Sequence, residues 1–332
     1  RSERGIVAVI LKDNSNTTKT AVYTKESEIV KSHYAATNLA YLSLVFMGGP
    51  SKVIVERVQT SDNISDALER LKNKRWYYLA VPGLGDGETD TVVEYIKEQR
   101  TQYHKTFKAV LPLAAADNEG IINFATDNIK IAAKTYTTAE FCCRIAGILA
   151  GLPLNRSATY YTLPEVESIT ESETPDDDVD NGKLILINDG TKTKIARGVN
   201  SLTTTTEDKG EDFKKIKIIE AVDMIRDDIR ATFEDEFVGK VENSYDNKIV
   251  FIAAVNKYFK DLANRGVLYD KYDNKAEIDI DETREWLSKT RDVSSWDDEK
   301  IKTANTGTNV FVRASIQIQD AIEDLKFGIY IE

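Results

Sequence analysis

The segment most suggestive of chemistry is glycine-rich, residues 83–88 (GLGDGE). It follows an apolar run and precedes a helical pattern, which is where a dinucleotide or phosphate loop lies. The fingerprint needs a third glycine at position 88, but the sequence has Glu88, and Asp86 and Glu88 would add negative charge where a pyrophosphate binds. We therefore interpret the segment as a strand-to-helix loop. A Rossmann-like nucleotide-dependent enzyme that uses loop 83–88 is the alternative.

An aspartate-rich segment, residues 176–182 (DDDVDNG), is similar to the start of a calcium-binding loop. An EF-hand loop that begins at Asp176 needs glycine at position 181 and glutamate at position 187. The sequence has Asn181 and Ile187 there. Because eight of the 16 residues in 165–180 are acidic, the segment is interpreted as a solvated acidic loop. No metal site is predicted.

Histidine and cysteine, the usual carriers of acid–base, metal and thiol chemistry, are scarce. His33 and His104 have no nucleophile or carboxylate at a known catalytic spacing. Cys142 and Cys143 are adjacent, which rules out a structural disulfide between them in ordinary geometry, and they lie in an apolar helical stretch where core packing is expected. The sequence predicts no catalytic residue and no cofactor.

The composition is that of a globular chain of 332 residues, and this length predicts two domains. The 44 basic and 55 acidic residues give a net charge of −11, which disfavours nucleic-acid binding. The longest apolar stretch, 145–154, is about half the length of a membrane span, so no membrane insertion is expected. With two adjacent cysteines and no signal peptide, the chain is expected in a reducing compartment. The sequence does not begin with Met, and we expect the natural N-terminus to extend further.

Apolar runs and helical patterns alternate along the first half of the chain. Capping boxes at residues 91–94 (TVVE) and 137–140 (TTAE) predict two helix starts. Strands are predicted at 5–11, 53–58, 76–81, 109–113 and 121–125, and helices at 35–46, 63–71, 91–103 and 137–151. This alternation favours an α/β fold with a mixed, largely parallel sheet flanked by helices.

A polar segment, 203–210, marks the predicted boundary between domains 1–205 and 206–332. The first domain includes the acidic loop 165–180 and a predicted hairpin within 183–199. The second domain begins with amphipathic helices over 218–237 and 246–264, in which apolar residues recur every three or four positions. A strand at 275–280 and a short helix at 282–288 follow. This second domain is therefore predicted to be α+β.

The chain ends with two runs in which apolar residues alternate with other residues. Their apolar members are Val310, Val312, Ala314, Ile316 and Ile318 in the first run, and Leu325, Phe327, Ile329 and Ile331 in the second. Such a terminal strand must pair with something, because an unpaired strand edge invites association. One interpretation is an internal hairpin closed by residues 320–324. The other is β-augmentation, in which strand 325–331 joins the sheet of another copy.

The order of several segments resembles that of contractile-tail sheath proteins from phages, prophages and phage-tail-like bacteriocins. No single segment is decisive, but together they span nearly the whole chain. They are residues 3–9 (ERGIVAV), 46–50 (FMGGP) with 53–58 (VIVERV), 146–151 (AGILAG) with Asn155, Ser157 and Thr159, 195–199, 203–206 and 214–219, and 320–325 (DAIEDL) before the last strand. Family members begin with an extended arm before the first strand, which is absent from this sequence.

The resemblance implies a structural, non-enzymatic subunit that polymerises by β-strand exchange around an inner tail tube. The C-terminal α+β domain would then be an assembly domain ending in an exchangeable β-strand. It implies four apolar arm residues (Leu325, Phe327, Ile329 and Ile331) and an accepting sheet (Val310, Val312, Ala314, Ile316 and Ile318). The implied partners are other copies of the chain, the tube protein, and baseplate and tail-end proteins. A virion tail or bacteriocin particle assembled in the bacterial cytoplasm is the implied location.

The remaining alternative to a sheath subunit is a monomeric binding module, in which the two terminal strands form an internal hairpin.

Overall fold

The computed structural model describes residues 4–330, which form two compact units. The first unit contains the chain up to Glu220 and the residues from Ile322 onward, and the second is Ala221–Ala321. The predicted boundary segment, 203–210, is bound to the first unit: Asp117 accepts hydrogen bonds from the backbone N–H groups of Thr203 (2.7 Å) and Thr204 (2.9 Å). Within residues 4–330, no helix is long and apolar enough to cross a membrane.

Strands and helices alternate along the first unit as predicted, and the last two strands and last three helices of the described chain lie in the second unit. The strands are β1 (Ile6–Lys12), β2 (Thr20–Tyr23), β3 (Lys52–Val58), β4 (Tyr78–Ala80), β5 (Lys108–Pro112), β6 (Ile121–Phe124), β7 (Asp127–Ile131), β8 (Lys134–Tyr136), β9 (Ser168–Thr170), β10 (Lys183–Leu184), β11 (Leu186–Asn188), β12 (Thr193–Ile195), β13 (Lys275–Ile278) and β14 (Val312–Ser315). The helices are α1 (Ala36–Phe46), α2 (Ser65–Leu71), α3 (Glu88–Thr101), α4 (Thr138–Gly151), α5 (Pro175–Asp180), α6 (Ile216–Glu236), α7 (Tyr245–Asn264), α8 (Ile280–Ser288) and α9 (Asp298–Thr303).

A seven-stranded sheet in the order β10-β6-β5-β4-β1-β3-β2 forms the centre of the first unit. Its strands pair in parallel except for β2, which runs antiparallel to β3 at one edge. The central strand β1 is apolar and buried along nearly its whole length, as expected when helices cover both faces of a parallel sheet. The predicted α/β class with a largely parallel sheet is confirmed.

Glycines allow α1 and α4 to pack in close contact. A Cβ atom on Gly147 of α4 would overlap the carbonyl group of Val45, and one on Gly151 would overlap that of Gly48, just after α1. Gly48 is equally close to the backbone of Gly147. The glycines of segments 46–50 and 146–151 therefore have a packing role at one helix crossing.

Gly147→Ala is expected to lower the free energy of unfolding by about 1–3 kcal/mol, because the added methyl group forces the two backbones apart. Chemical denaturation of the purified protein measures this change. Gly83→Ala is the matched control, since a Cβ at Gly83 meets no atom within 4 Å. Equal stability of the two variants would contradict the close helix crossing.

Several local predictions in the first unit are wrong. The helix expected to begin at the capping box of residues 91–94 begins instead at Glu88, after Gly87 in the left-handed region at φ +75°. The acidic segment 165–180 contains β9 and α5 and is not a loop throughout, because Pro175 lies in the first turn of α5 and fits a helix start. The predicted capping box of α4 is confirmed, with Thr137 and Glu140 bonded reciprocally.

The second unit consists of α6 from Ala221 onward, α7, α8, α9 and a two-stranded sheet of β13 and β14. The two predicted amphipathic helices are confirmed as α6 and α7. Phe251 of α7 makes edge-on ring contacts with Phe233 and Phe237 at centroid distances of 5.1 Å. β13 and β14 are antiparallel, with Ala276 opposite Ala314 and Ile278 opposite Val312.

Candidate assembly surfaces

The sheet of β13 and β14 has one closed edge and one open edge. At the closed edge, the Asn256 side chain of α7 accepts a hydrogen bond from the Ala276 N–H (2.7 Å) and donates one to the Ala276 carbonyl oxygen (3.2 Å). Ala276 thus directs its backbone polar groups away from β14. In antiparallel pairing, the opposite residue Ala314 must then direct its own groups outward as well. Among residues 4–330, no strand pairs with this outer edge of β14.

Two of the five predicted accepting residues lie in β14, which is shorter than the predicted strand. Val312 and Ala314 are in β14, and Ile318 forms an isolated bridge with Leu268. Val310 and Ile316 flank the strand and are half-buried. By alternation, Val312 and Ala314 share one face with the buried Ala276 and Ile278, and Arg313 pairs with Glu277 on the other face (2.9 Å).

The C-terminal tail, which we define as residues 322–330, is largely exposed and contains no helix or strand. Leu325, Phe327 and Ile329 are 84%, 77% and 75% exposed, and the tail forms no strand pairing with the rest of residues 4–330. The internal hairpin alternative is therefore not formed in the described chain. Ile331, the fourth predicted arm residue, lies outside the described residues.

Arg197 binds the first residues of the tail, Glu323 and Asp324, through two ion pairs. Its guanidinium donates to Glu323 at 3.1 Å and makes a second ion pair with Asp324. The hydrogen bond to Asp324 raises the pKa of Arg197, so this cation stays charged throughout the physiological range. The ion pairs restrain the tail at its first residues and leave the apolar residues beyond them exposed. Sequence reasoning missed Arg197, because its partners are more than 120 residues away.

A buried ionic cluster holds the start of α6 in the first unit. The Glu220 carboxylate accepts hydrogen bonds from Tyr78 (2.7 Å) and Arg4 (2.9 Å) and pairs with the buried Lys108 at 2.8 Å. Burial opposes ionisation, but the positive charges of Lys108 and Arg4 outweigh it and lower the pKa of Glu220 to about 2. The cluster joins α6 to β4 and β5.

The glycine-rich loop 83–88 is filled by its own carboxylate. Glu88 pairs with Lys12 at the end of β1 (2.9 Å) and accepts a hydrogen bond from the Gly85 N–H (2.5 Å). Both the cation and the backbone donor that a phosphate would need are therefore already bound to Glu88.

In the described chain, the other candidate chemical groups are also inactive or absent. Burial raises the pKa of the Cys142 and Cys143 thiols, which disfavours the reactive thiolate. Among residues 4–330, no group of three His, Cys, Asp or Glu side chains could hold a metal.

Comparison with known proteins assigns the family. Residues 58–201 match the model of the phage tail sheath protein central domain, and residues 208–332 match that of the phage tail sheath C-terminal domain. The chain is also 37% identical over 340 residues to the tail sheath protein of Clostridium phage phiCD119, covering 99% of this chain and 94% of that protein. The chain belongs to the phage tail sheath family. The resemblance noted in the sequence is thereby confirmed, and the family gives the protein a structural role in a tail sheath.

Solved sheath proteins share the fold. The sheath tail protein from Desulfitobacterium hafniense matches with a TM-score of 0.72 at 16% identity, over 83% of this chain and 90% of that chain. The one from Listeria innocua matches with a TM-score of 0.72 at 13% identity, over 97% and 96%. The helical sheath of the anti-feeding prophage in its contracted state also matches with a TM-score of 0.72, at 11% identity over 100% and 94%.

Proposed function

We propose that the protein is a sheath subunit that polymerises around an inner tail tube by exchanging its C-terminal strand. The observation that carries the proposal is a matched pair of surfaces: an open strand edge at β14 and an exposed, alternating tail. The tail of one copy adds to the open edge in another copy, with Leu325, Phe327 and Ile329 on its apolar face. Backbone hydrogen bonds supply the affinity and the alternation supplies the register.

Strand exchange suits a sheath that must shorten without falling apart. Backbone hydrogen bonds between copies are retained while the compact units rotate, so the subunits stay linked as the sheath contracts. The driving free energy lies in subunit packing that is poorer in the extended sheath than in the contracted one, a difference between two states. This drives the tube through the target cell envelope. The mechanism uses no nucleotide, metal or catalytic residue, and we infer that the protein is not an enzyme.

Charge distribution supports the assignment of the C-terminal part to the tube-facing side. Residues 211–332 carry 19 basic and 27 acidic residues, a net charge of −8 out of −11 for the whole chain. Opposite charge on the tube protein would steer docking and set its orientation.

The further partners in this proposal are the baseplate and tail-end proteins. The proposed location is a virion tail or bacteriocin particle, assembled in the bacterial cytoplasm.

Negative-stain electron microscopy of the full-length gene product tests the proposal. Helical tubes of stacked rings are expected, either from the protein alone or when the tail tube protein is supplied. If only dispersed particles appear under both conditions, the proposed polymerisation is wrong.

A further inference from the structure

An apolar pocket lies in the second unit beside the start of β14. It has a volume of about 410 Å³ and lies between the end of α6, the turn that follows and the start of α7. Its apolar lining comes from Phe233, Phe237, Val238, Val241, Phe251 and Val310. Val238 and Val241 are exposed, and Phe233 and Phe237 are half-buried, so the pocket is uncovered in the single chain.

Asn243 lines this pocket, and its side-chain oxygen has no hydrogen-bond partner in the described chain. Its amide nitrogen donates to the carbonyl oxygens of Gly307 (2.7 Å) and Asn309 (2.9 Å), which holds the segment before β14 against the turn between α6 and α7. These two bonds fix the orientation of the amide group. The Asn243 Oδ1 atom is buried and accepts no hydrogen bond from residues 4–330. A buried unsatisfied acceptor favours an occupant that brings an N–H group.

We propose that this phenylalanine pocket receives Phe327 from the tail of a second copy of the chain. The inference rests on the proposed strand exchange and names the place where the incoming strand is anchored. Its extended backbone, which carries N–H groups, would run past the pocket along the open edge of β14.

The geometry of β14 supports this occupant. Val310, which lines the pocket, precedes β14 by two residues and by alternation lies on the face of Val312 and Ala314. A strand added at the open edge continues this face, so its apolar residues lie next to the pocket. Phe327 is the middle residue of the alternating set 325, 327 and 329, and it stays near the centre whether the added strand runs parallel or antiparallel.

The exposed tail explains why a second copy, and not the same chain, is the expected donor. Glu323 and Asp324 at the start of the tail are bound to Arg197 of the first unit, and residues 322–330 pair with no strand of their own chain in the described structure. Ile322, Leu325, Phe327, Ile329 and Tyr330 are each at least 75% exposed. An apolar tail and an apolar pocket that are both uncovered in one chain are both covered when two chains join.

Binding of a tail peptide to the full chain tests the pocket directly. The probe is a fluorescein-labelled peptide of residues 319–332, followed by fluorescence anisotropy, and the acceptor is the full chain carrying Phe327→Asp, whose own tail cannot compete. We expect saturable binding, weakened at least about 30-fold when the peptide itself carries Phe327→Asp. In the acceptor, Val238→Trp fills the pocket and is expected to weaken binding to a similar extent.

Val250→Trp is the matched control in the acceptor. Val250 and Val238 have similar exposure, 58% and 55%, and both are in the second unit, but Val250 does not line the pocket. Thermal unfolding of both variants checks that they fold, and the control is expected to bind the peptide unchanged. If Val238→Trp also binds unchanged, the pocket is not the anchor, although strand exchange survives.

The remaining outcomes separate this inference from the proposed function. If the full-length product forms tubes but the peptide does not bind, the proposed binding of Phe327 in the pocket is wrong and the proposed sheath function stands. Pocket-dependent peptide binding without tubes would support the pocket and contradict the sheath mechanism. If the dilute, monomeric wild-type chain rejects a peptide that its Phe327→Asp variant binds, the pocket is filled by the tail of the same chain, and the second copy is excluded as the donor.

Discussion

Phe327→Asp in the full-length gene product is expected to abolish sheath polymers while the monomer stays folded. The side chain is 77% exposed in the single chain, so its loss changes the free energy of unfolding by no more than about 0.5 kcal/mol. In the proposed assembly, the same position would be buried against a neighbouring copy, where an unpaired carboxylate is strongly unfavourable. Negative-stain microscopy measures the polymers, and circular dichroism during heating measures the stability of the monomer.

Tyr330→Asp is the matched control for the tail. Tyr330 is also aromatic and is 94% exposed, but alternation places it on the opposite face of the strand from Phe327. This variant is expected to form tubes. Normal tubes from Phe327→Asp would contradict the assignment of the arm, and loss of tubes from both variants would show that the tail is sensitive to charge on either face.

Glu220→Ala is expected to lower the free energy of unfolding by about 3–5 kcal/mol, the usual cost of breaking a buried ion pair by removing one partner. The reason is that Lys108, whose side chain is only 1% exposed, loses its carboxylate at 2.8 Å. Urea denaturation at neutral pH measures the change. Glu167→Ala is the control, because its ion pair with Lys130 is about half exposed and is expected to contribute less than about 1 kcal/mol. Equal effects of the two substitutions would contradict the buried cluster.

The same carboxylate predicts a stability loss in acid. The pKa of Glu220 is about 2 in the folded protein, below the ordinary value of 4.5. A carboxyl group with a lowered folded-state pKa stabilises the protein above its unfolded pKa, and this contribution disappears as the pH falls from about 4.5 to about 2. Denaturation at several pH values is expected to show a smaller loss across this window in Glu220→Ala than in the wild-type protein. Parallel curves would contradict the ionised state of Glu220.

The central sheet is predictable from sequence because its strands are buried on both faces. In such strands, continuous apolar runs such as 5–11 and 109–113 stand out from the helical patterns between them. β7 and β8 are missed because they lie outside this sheet and their residues are mostly polar or exposed, as in Asp127–Ile131. The start of α3 is misplaced because Gly87 ends the loop by adopting a left-handed conformation, which outweighs the capping signal of Thr91.

The assembly surfaces are only partly visible in the sequence. Alternation at 310–319 and 325–331 predicts two strands with one apolar face each. The structure forms the first in part, as β14, whereas residues 325–330 form no strand in the described chain. The closing of the other edge by Asn256 and the restraint of the tail by Arg197 depend on contacts between distant parts of the chain. A single polar residue in a helix or loop carries no local signal of such a contact.

Amide hydrogen exchange, compared between the assembled sheath and the same protein before assembly, tests strand exchange most directly. Exchange within residues 325–330 and along 310–316 is expected to slow by at least about 100-fold in the sheath, because both segments gain backbone hydrogen bonds from a neighbour. Mass spectrometry of peptides from the two regions provides the measurement. Intact sheath tubes in which the tail exchanges as fast as in the unassembled protein would show that the copies are joined in another way.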